Sequence, residues 1–479
     1  MDRIFALLSL QGAMGAFDAI YHHEITERLA WRPGSARELQ IHAVRNLFYA
    51  ALFLAFGWGE WHGLWAFVLA GMMATEILVT LTDFVIEDRT RDLPASERVT
   101  HTLLAINFGI ILAVLAPELL RWAALPTGVL WVSHGAWSAL ASAIGVGALV
   151  DAVRDGGRGQ AMARRAARVG AALSTALPGR LSILITGGTG FIGSRLAEAL
   201  AETGHAVTVL TRDVRKGRKF RGRVTLIENL HTLGRDTPFD AIVNLAGEPV
   251  ADRRWTAARK RKILESRLRT TEAVLRFIAK ARRKPAVLVS ASAIGFYGTD
   301  PETGFVEDTA ARPCFGHEIC DAWERTAMGA ARHGVRVVTL RIGLVLGAGG
   351  GMLAKLLIPY ELGLGGPIGS GRQWMSWIHL DDLVGLILHA IAVENLSGPM
   401  NGTAPEPVRN RDFARALGRA LHRPAFLPVP AFAARLLLGR EAADDLLLGG
   451  QRVLPRLAEE TGYQFLYPTL PEALREIVG

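Results

Sequence analysis

Cysteine is almost missing from this sequence. Two occur in 479 residues, Cys314 and Cys320, too few and too close together for a disulfide framework and without metal-ligand spacing. A reducing compartment is expected for the half of the chain that carries them. Charge is sparse too: 21% of residues are charged against 50% hydrophobic, and a mean hydropathy of +0.23 is too apolar for an ordinary soluble enzyme. Part of the chain is therefore expected in a bilayer. The opening run Ile4–Ile20 has neither a strongly basic start nor a small-residue cleavage site, and it carries Asp18. That predicts a retained helix and not a removable signal. A formal net charge of +9 raises the question of nucleic acid, but no zinc-finger or RNA-binding signature accompanies the arginines. They sit beside apolar segments, so no nucleic acid is expected and they read as topology signals facing anionic lipid.

Apolar stretches lie at about Ile4–Tyr21, Ala43–Gly57, Leu64–Ile86, Thr102–Leu120 and Gly128–Val150. Most are near the length of a bilayer core; the second is short, and is expected to be either tilted or extended by its neighbours. No Lys or Arg lies between the second and third, and only Arg121 between the fourth and fifth. Arg28, Arg32 and Arg37 follow the first, Arg89, Arg91 and Arg98 the third, and Arg154, Arg158, Arg164, Arg165 and Arg168 the fifth. The positive-inside rule then places the amino terminus outside and everything after Asp151 in the cytoplasm. Residues 1–152 are thus expected to form an all-α, five-helix transmembrane domain in the cytoplasmic (inner) membrane, with the lipid bilayer as partner. Ala139, Ala143 and Gly147 make a small-residue stripe suited to close helix packing.

The polar residues of these helices are not scattered. Asp18 and His22 are one turn apart with His23 and Glu24 following, His42 and Asn46 are one turn apart, Glu76, Asp83 and Glu87 share a face, and His101 opens the fourth stretch. All fall at similar depth, where ionisable groups are costly and usually face a bundle interior. One reading is a carboxylate–histidine metal site of His22, His42, Glu76 and His101, with a haem between two histidines as a variant. No Glu-x-x-His motif supports it. The plainer reading pairs these side chains with each other and with headgroups, and a quinone or small-molecule site is a third.

Residues 153–180 turn to Gly, Ala and Arg, a basic juxtamembrane linker with an amphipathic helix ending at Pro178. From Leu181 short β-branched runs alternate with amphipathic helices, which predicts an α/β Rossmann fold: a doubly wound parallel sheet. Strands are expected at Ser182–Thr186, Ala206–Leu210, Thr225–Ile227, Ala241–Asn244, Ala286–Ser290 and Arg336–Arg341. Residues 181–400 form this NAD(P)-binding domain, and 401–479 a small C-terminal substrate or lid domain.

After the first of these strands, "TGGTGFIG" spaces Gly187, Gly190 and Gly193 three apart. In a strand–turn–helix setting such a triplet lets backbone approach a dinucleotide pyrophosphate at a helix N-terminus. The second strand ends in "TRD", with Arg212 where an acidic residue would hold the ribose hydroxyls of NAD. Arginine there favours the 2′-phosphate of NADP, while Asp213 keeps NAD open. Asn244, Leu245, Ala246 and Gly247 close the fourth strand and are small enough for adenine and ribose to cross the sheet edge. Lys262 and Arg267 sit on a very basic helix that can turn toward cofactor or substrate.

In order along the chain, "TGGTGFIG", "NLAGEPV", "SASAIGFYG", "LRIGLVLGAGGGML", "LGLGGPIGSGRQWMSWIHLDDL" and "NGTAPEPVRNRDFARALG" resemble the atypical epimerase-family branch of the short-chain dehydrogenase/reductase superfamily. The resemblance runs from about Leu181 to the C-terminus and implies a Rossmann fold, NADP(H) binding and oxidoreductase or epimerase activity of the nucleoside-diphosphate-sugar epimerase type. It also implies residue roles. Gly187, Gly188, Thr189, Gly190, Phe191, Ile192 and Gly193 would meet the pyrophosphate, Thr211 and Arg212 the adenosine ribose phosphate, and Leu245 and Ala246 the adenine ribose. Lys262 and Arg267 would also reach the cofactor, and Ser292 would be the catalytic serine.

One departure matters more than the matches. The superfamily's Tyr-x-x-x-Lys, in which lysine lowers the tyrosine pKa for acid–base work, should fall in "CFGHEICDAWE". With Glu324 as the following glutamate, Gly316 replaces the tyrosine and Cys320 the lysine. His317 and Tyr297 are the candidate substitutes. In "WMSWIHLDDL", Asp381 is expected to cap a helix and the tryptophans to wall a substrate pocket, with "RPAFLPVPAF" as part of the lid. Two functions follow: a membrane-anchored NADP-dependent oxidoreductase or epimerase acting on a small or lipid-linked substrate, or a non-catalytic NADP(H) sensor coupled to the bundle.

Overall fold

The basic stretch that composition marks as a linker contains the main division of the fold. In the computed structural model, which describes residues 2–31, 34–91, 93–214, 220 and 224–478, the chain forms two compact units, Met1–Arg168 and Val169–Gly479. Arg32, one of the topology arginines, lies outside the described residues.

The first unit contains α1 (Asp2–Phe17), continued by a π-helical segment over Asp18–Thr26, then α2 (Ala36–Trp58), α3 (Leu64–Thr90), α4 (Ala95–Ala123) and α5 (Ala136–Ser174). All five are long and apolar enough to cross a membrane. The short second stretch is extended by its neighbours, one of the two alternatives read from sequence: α2 runs 23 residues, because Glu38, His42 and Arg45 turn inward and lengthen it beyond its apolar part. One boundary was wrong. Residues 128–131 are not helical; β2 (Gly128–Trp131) pairs antiparallel with β1 (Gly59–His62), so the two cation-poor loops meet at one end of the bundle. The basic stretch is no separate helix either, since α5 runs unbroken to Ser174.

Burial in this unit is inverted relative to a water-soluble bundle. Leu64, Phe67, Leu78 and Leu120 are 64–72% exposed, while Asp18, His22, Glu38, His42, Asp83, Glu87 and Glu97 are 0–1% exposed. Near the β1–β2 end the core is apolar, built from Phe5, Phe56, Leu69, Ile111, Leu115 and Trp122. At the other end it is ionic. Arg91, read from sequence as a membrane-facing cation, is instead buried and bonds Glu38 and Glu97.

The second unit is built on a seven-stranded parallel sheet. Its members are β3 (Ser182–Thr186), β4 (Ala206–Leu210), β5 (Val224–Ile227), β6 (Ala241–Asn244), β7 (Val287–Ala293), β9 (Arg336–Ile342) and β13 (Gly398–Gly402), in the order β13-β9-β7-β6-β3-β4-β5. Ile183, Leu184, Ile185, Ile242 and Val243 are wholly buried, as strands covered on both faces require. Each such side chain contributes about 1.5–3 kcal/mol. Helices α6 (Phe191–Glu202) and α10 (Leu380–Ala392) cover one face together with Val169 and Leu173. Helices α7 (Ala257–Lys280) and α8 (Phe315–Met328) cover the other. Short strands surround the sheet: β8 (Gly304–Phe305) pairs with β15 (Arg452–Val453), β10 (Leu344–Leu346) with β12 (Trp377–His379), and β11 (Trp374–Met375) with β14 (Val408–Arg409).

The paired aspartates of "LDDL" divide their work differently from expectation. His379 Nδ1 caps α10 by accepting the Asp381 N–H at 3.1 Å. Asp381 instead pairs with Arg195 of α6 at 2.7 Å, which ties the cofactor-side helix to α10. Asp382 is fully buried and accepts the backbone N–H groups of Leu466 and Tyr467 at 2.7 and 3.0 Å. Its carboxylate is the clamp on the C-terminal segment. Replacing Asp382 with Ala should therefore cost about 2–4 kcal/mol, because its bonds from Leu466, Tyr467 and the Tyr463 hydroxyl are lost and their donors left bare. Denaturant unfolding would measure the cost, and hydrogen exchange should show early loss of protection at Leu466 and Tyr467.

Candidate functional site

The site forms where β3, β4 and β6 end, at the carboxyl edge of the sheet. Gly187 has φ of 69° and cannot carry a side chain: a Cβ there would stand 2.9 Å from Leu245 and Ala246 backbone atoms. A Cβ on Gly188 would stand 2.7 Å from Val209, and one on Gly193 2.3 Å from the Gly187 carbonyl oxygen. The turn is therefore closed against the tips of β4 and β6, and Gly190 leads directly into α6. The first turn of that helix leaves its N–H groups pointing out of the sheet edge, an anion-binding arrangement. Thr189 and Thr211 hydroxyls meet at 3.4 Å across the turn. Phe191 faces away from it: its ring packs under Gly347, Gly350 and Gly351, where Cβ atoms would approach it to 2.9, 2.6 and 3.3 Å. Ile192 packs against the sheet core.

Beneath the turn, Asn244 links three elements. It accepts from Thr186 Oγ1 at 2.6 Å and donates to Thr271 and Ser290 at 2.9 and 3.2 Å. Beside it the chain runs Leu245–Ala246–Gly247 to Glu248, a residue not singled out by sequence. Arg212 Nη1 lies 3.7 Å from the Glu248 carboxylate, Arg259 Nη1 3.1 Å and Lys262 Nζ 3.8 Å. The Arg259 hydrogen bond holds the Glu248 carboxyl below its usual pKa. Arg212 is 95% exposed, and Glu248 is its one ion-pair partner among the described residues. Arg267 is drawn inward instead, donating to the Glu248 and Ile263 carbonyls at 3.1 and 3.0 Å and lying 5.0 Å over Trp323. Gly247 leaves room for it, since a Cβ there would approach its guanidinium to 3.1 Å.

Ser292, at the end of β7, donates to Glu324 Oε1 at 2.6 Å. Glu324 is held in turn by Arg341 through two bonds of 2.9 Å. Arg341 also donates to the Tyr297 hydroxyl at 2.9 Å and the Glu307 carbonyl at 3.0 Å, and Tyr297 donates to Asn401 Oδ1 at 2.7 Å. The result is a buried chain from serine to the edge strand β13. Tyr297 has both hydrogen-bonding roles taken and no exposed surface, and burial pushes its phenol above the ordinary value, which removes it as an acid–base candidate. His317 Nδ1 bonds the Phe296 carbonyl at 2.8 Å and its ring packs on Phe296, so it stands at the start of α8 beside this chain and not in it. Cys320 is buried against the Ala293 carbonyl, and burial pushes its thiol up to about 11. Gly316 rests on Gly295, where a Cβ would come to 3.1 Å from a carbonyl oxygen. Neither position can imitate a tyrosine–lysine pair.

With this geometry in place, the comparisons with known proteins are decisive for the second unit. Residues 183–401 match the NAD dependent epimerase/dehydratase family, and residues 429–477 match a domain of unknown function, DUF1731. Epimerase family protein SDR39U1 of Bos taurus is 40% identical over 303 residues, covering 62% of this chain and all of the relative. The chain belongs to the NAD dependent epimerase/dehydratase family. Another member, the chloroplastic SDR39U1 homolog of Arabidopsis thaliana, is 42% identical over 307 residues, 62% of this chain and 87% of the relative. A crystal structure of the human family protein SDR39U1 (isoform2) with NADPH is similar at 37% identity with a TM-score of 0.56, covering 62% of this chain and 99% of that one. The family's sheet and C-terminal domain are those found here.

Two further expectations change. Trp377 is buried and donates to the Glu406 carbonyl, so it supports the sheet and walls no pocket; Trp374 lies 3.8 Å beneath the Arg409 guanidinium. In the first unit, the predicted metal set is not brought together. His22 bonds Asp18 and Ser96, and Glu76 accepts from Thr80. The clustered groups are Asp18, His23, Glu97 and His101, and His23, His42 and Glu87. His23 and His42 stack face to face at 4.4 Å with 7° between ring planes, which leaves no room for a haem between the rings.

If Ser292 and Glu324 form one buried unit, their variants should differ in a stated way. Ser292→Ala should cost about 1 kcal/mol, one hydrogen bond, while Glu324→Ala should cost about 3–5 kcal/mol by leaving Arg341 buried and unpaired. Urea unfolding of the two variants would measure both.

Proposed function

We propose that this family member is a membrane-anchored, NADP(H)-binding oxidoreductase or epimerase. The observation that carries the cofactor choice is the convergence of Arg212, Arg259 and Lys262 on the single carboxylate of Glu248. Three cations around one anion leave an excess of positive charge beside the glycine turn, where the adenosine 2′-phosphate would lie. The human relative bound to NADPH supports the same choice. NADP bound here supplies a hydride acceptor or donor. Ser292 Oγ would accept the proton of the reacting hydroxyl while its own proton passes to Glu324 Oε1, and Arg341 keeps that carboxylate in position. The proton thus moves along serine and glutamate where relatives with Tyr-x-x-x-Lys use a phenol.

The reading as a non-catalytic NADP(H) sensor is favoured by Gly316 and Cys320 at the tyrosine and lysine positions. Purified protein that consumes NADPH with membrane extract would exclude it.

Membrane anchoring rests on the inverted burial of the first unit, and the arginine distribution supports a cytoplasmic second unit. An anchored protein makes a hydrophobic or lipid-linked substrate reachable. Detergent, but neither carbonate nor high salt, should release the chain from membranes; release by carbonate would contradict the anchoring.

NADPH should bind about tenfold to a hundredfold more tightly than NADH, since a bidentate arginine–phosphate contact is worth roughly 1.5–3 kcal/mol. Arg212→Ala should remove most of that preference and leave NADH affinity nearly unchanged. Fluorescence titration of the full chain in detergent checks this.

A further inference from the structure

The ionic end of the helix bundle carries more negative charge than it can balance. Asp18, Glu38, Asp83, Glu87 and Glu97 are each at most 1% exposed, against two guanidinium groups, Arg45 and Arg91. That leaves three negative charges, and Glu76 adds another two turns along α3. Uncompensated charges at this burial are costly by several kcal/mol each.

Protonated histidines are the first candidates for balancing it, and His22 and His101 have oxygens within reach of both ring nitrogens, but geometry limits His23 and His42. The His23 and His42 rings stack with 7° between planes, so two imidazolium ions there would repel at contact distance. Among the described residues, His23 Nε2 and His42 Nδ1 have no hydrogen-bond partner although both residues are buried. An imidazolium needs acceptors at both nitrogens. A bare nitrogen turned toward carboxylates has a lone pair available.

The backbone explains how His23 arrives. Over Asp18–Thr26 the chain is π-helical, a rare form that often marks functional sites. Winding at i→i+5 brings His23 onto the face of Asp18, where an α-helix would present His22 alone. His23 Nε2 then lies 3.5 Å from Asp18 Oδ2 and 3.6 Å from Glu97 Oε1, and His101 Nε2 lies 3.2 Å from Asp18 Oδ2. One ligand atom from each of these four residues falls within 4.8 Å of the others. Ligands about 2.0–2.2 Å from one ion stand about 3–4 Å apart, so little movement is required. Arg91 grips Glu97 and Glu87 flanks His101, which fixes the donors from behind.

We propose that Asp18, His23, Glu97 and His101 hold a first-row divalent cation, with His42 and Glu87 flanking it. Mixed imidazole and carboxylate donors without thiolate suit iron or manganese. His23, His42 and His101 also line a cavity of about 890 Å³ whose walls include Phe84, Leu104 and Phe108. An ion there would face a space able to take an apolar molecule.

Metal analysis of the full-length chain, purified in detergent without chelator and again after chelation and reloading with Mn(II) or Fe(II), tests this directly. About one equivalent per chain is expected, with His23→Gln and Asp18→Asn lowering occupancy by about tenfold or more. Glu76→Gln, which changes a buried carboxylate outside the four, should keep the ion. X-ray absorption of the loaded wild-type protein should show an N/O shell with imidazole scattering, a result independent of whether the variants fold. Background-level metal after reloading, a shell lacking imidazole, or equal loss in Glu76→Gln would overturn the proposal.

Discussion

A Cβ atom on Gly193 would stand 2.3 Å from the carbonyl oxygen of Gly187, and that approach sets the position of everything on the carboxyl edge of the sheet. Because α6 begins so close to the end of β3, its free N–H groups open directly onto the crevice. The same closeness brings Leu245 and Ala246 against the turn and Thr189 against Thr211. Arg212 and Glu248 follow from those two strand ends, so the charge recognition of the site is a consequence of three missing side chains.

Farther along the edge, a polar chain stands beside the positions where the resemblance implies a tyrosine and a lysine. Gly316 and Cys320 surrender those roles for steric and electrostatic reasons, and Ser292, Glu324 and Arg341 form a satisfied network in their neighbourhood. Buried networks of this kind are rigid when complete. Asn401 extends it to β13, so the edge strand is tied to the same network, and Asp382 ties the C-terminal segment to the helix covering that side.

Sequence carried the strands whose β-branched runs are buried on both faces; Ser182–Thr186, Ala206–Leu210 and Ala241–Asn244 match their expected bounds. It did not show β13, because Gly-Pro-Met-Asn-Gly has no strand propensity and is recruited only by its neighbour β9. The glycine turn was legible since its spacing is local. Glu248 and Arg341 were not, although a lone arginine in the buried run "VVTLRIG" was a signal that an acid must face it. In the bundle the depth of the polar residues was readable, but their grouping was not: α-helical spacing selects His22, whereas the π-helical winding delivers His23.

The two units thus each bury charge, one at a strand edge and one at the ends of helices, and the account depends most on the first. Hydrogen–deuterium exchange of the full-length chain with and without NADPH would test it most directly. Binding at the turn predicts slowed exchange across Gly187–Ser194 and Thr211–Val214, with the second region less protected by NADH. Unchanged exchange at the glycine turn under saturating NADPH would contradict it.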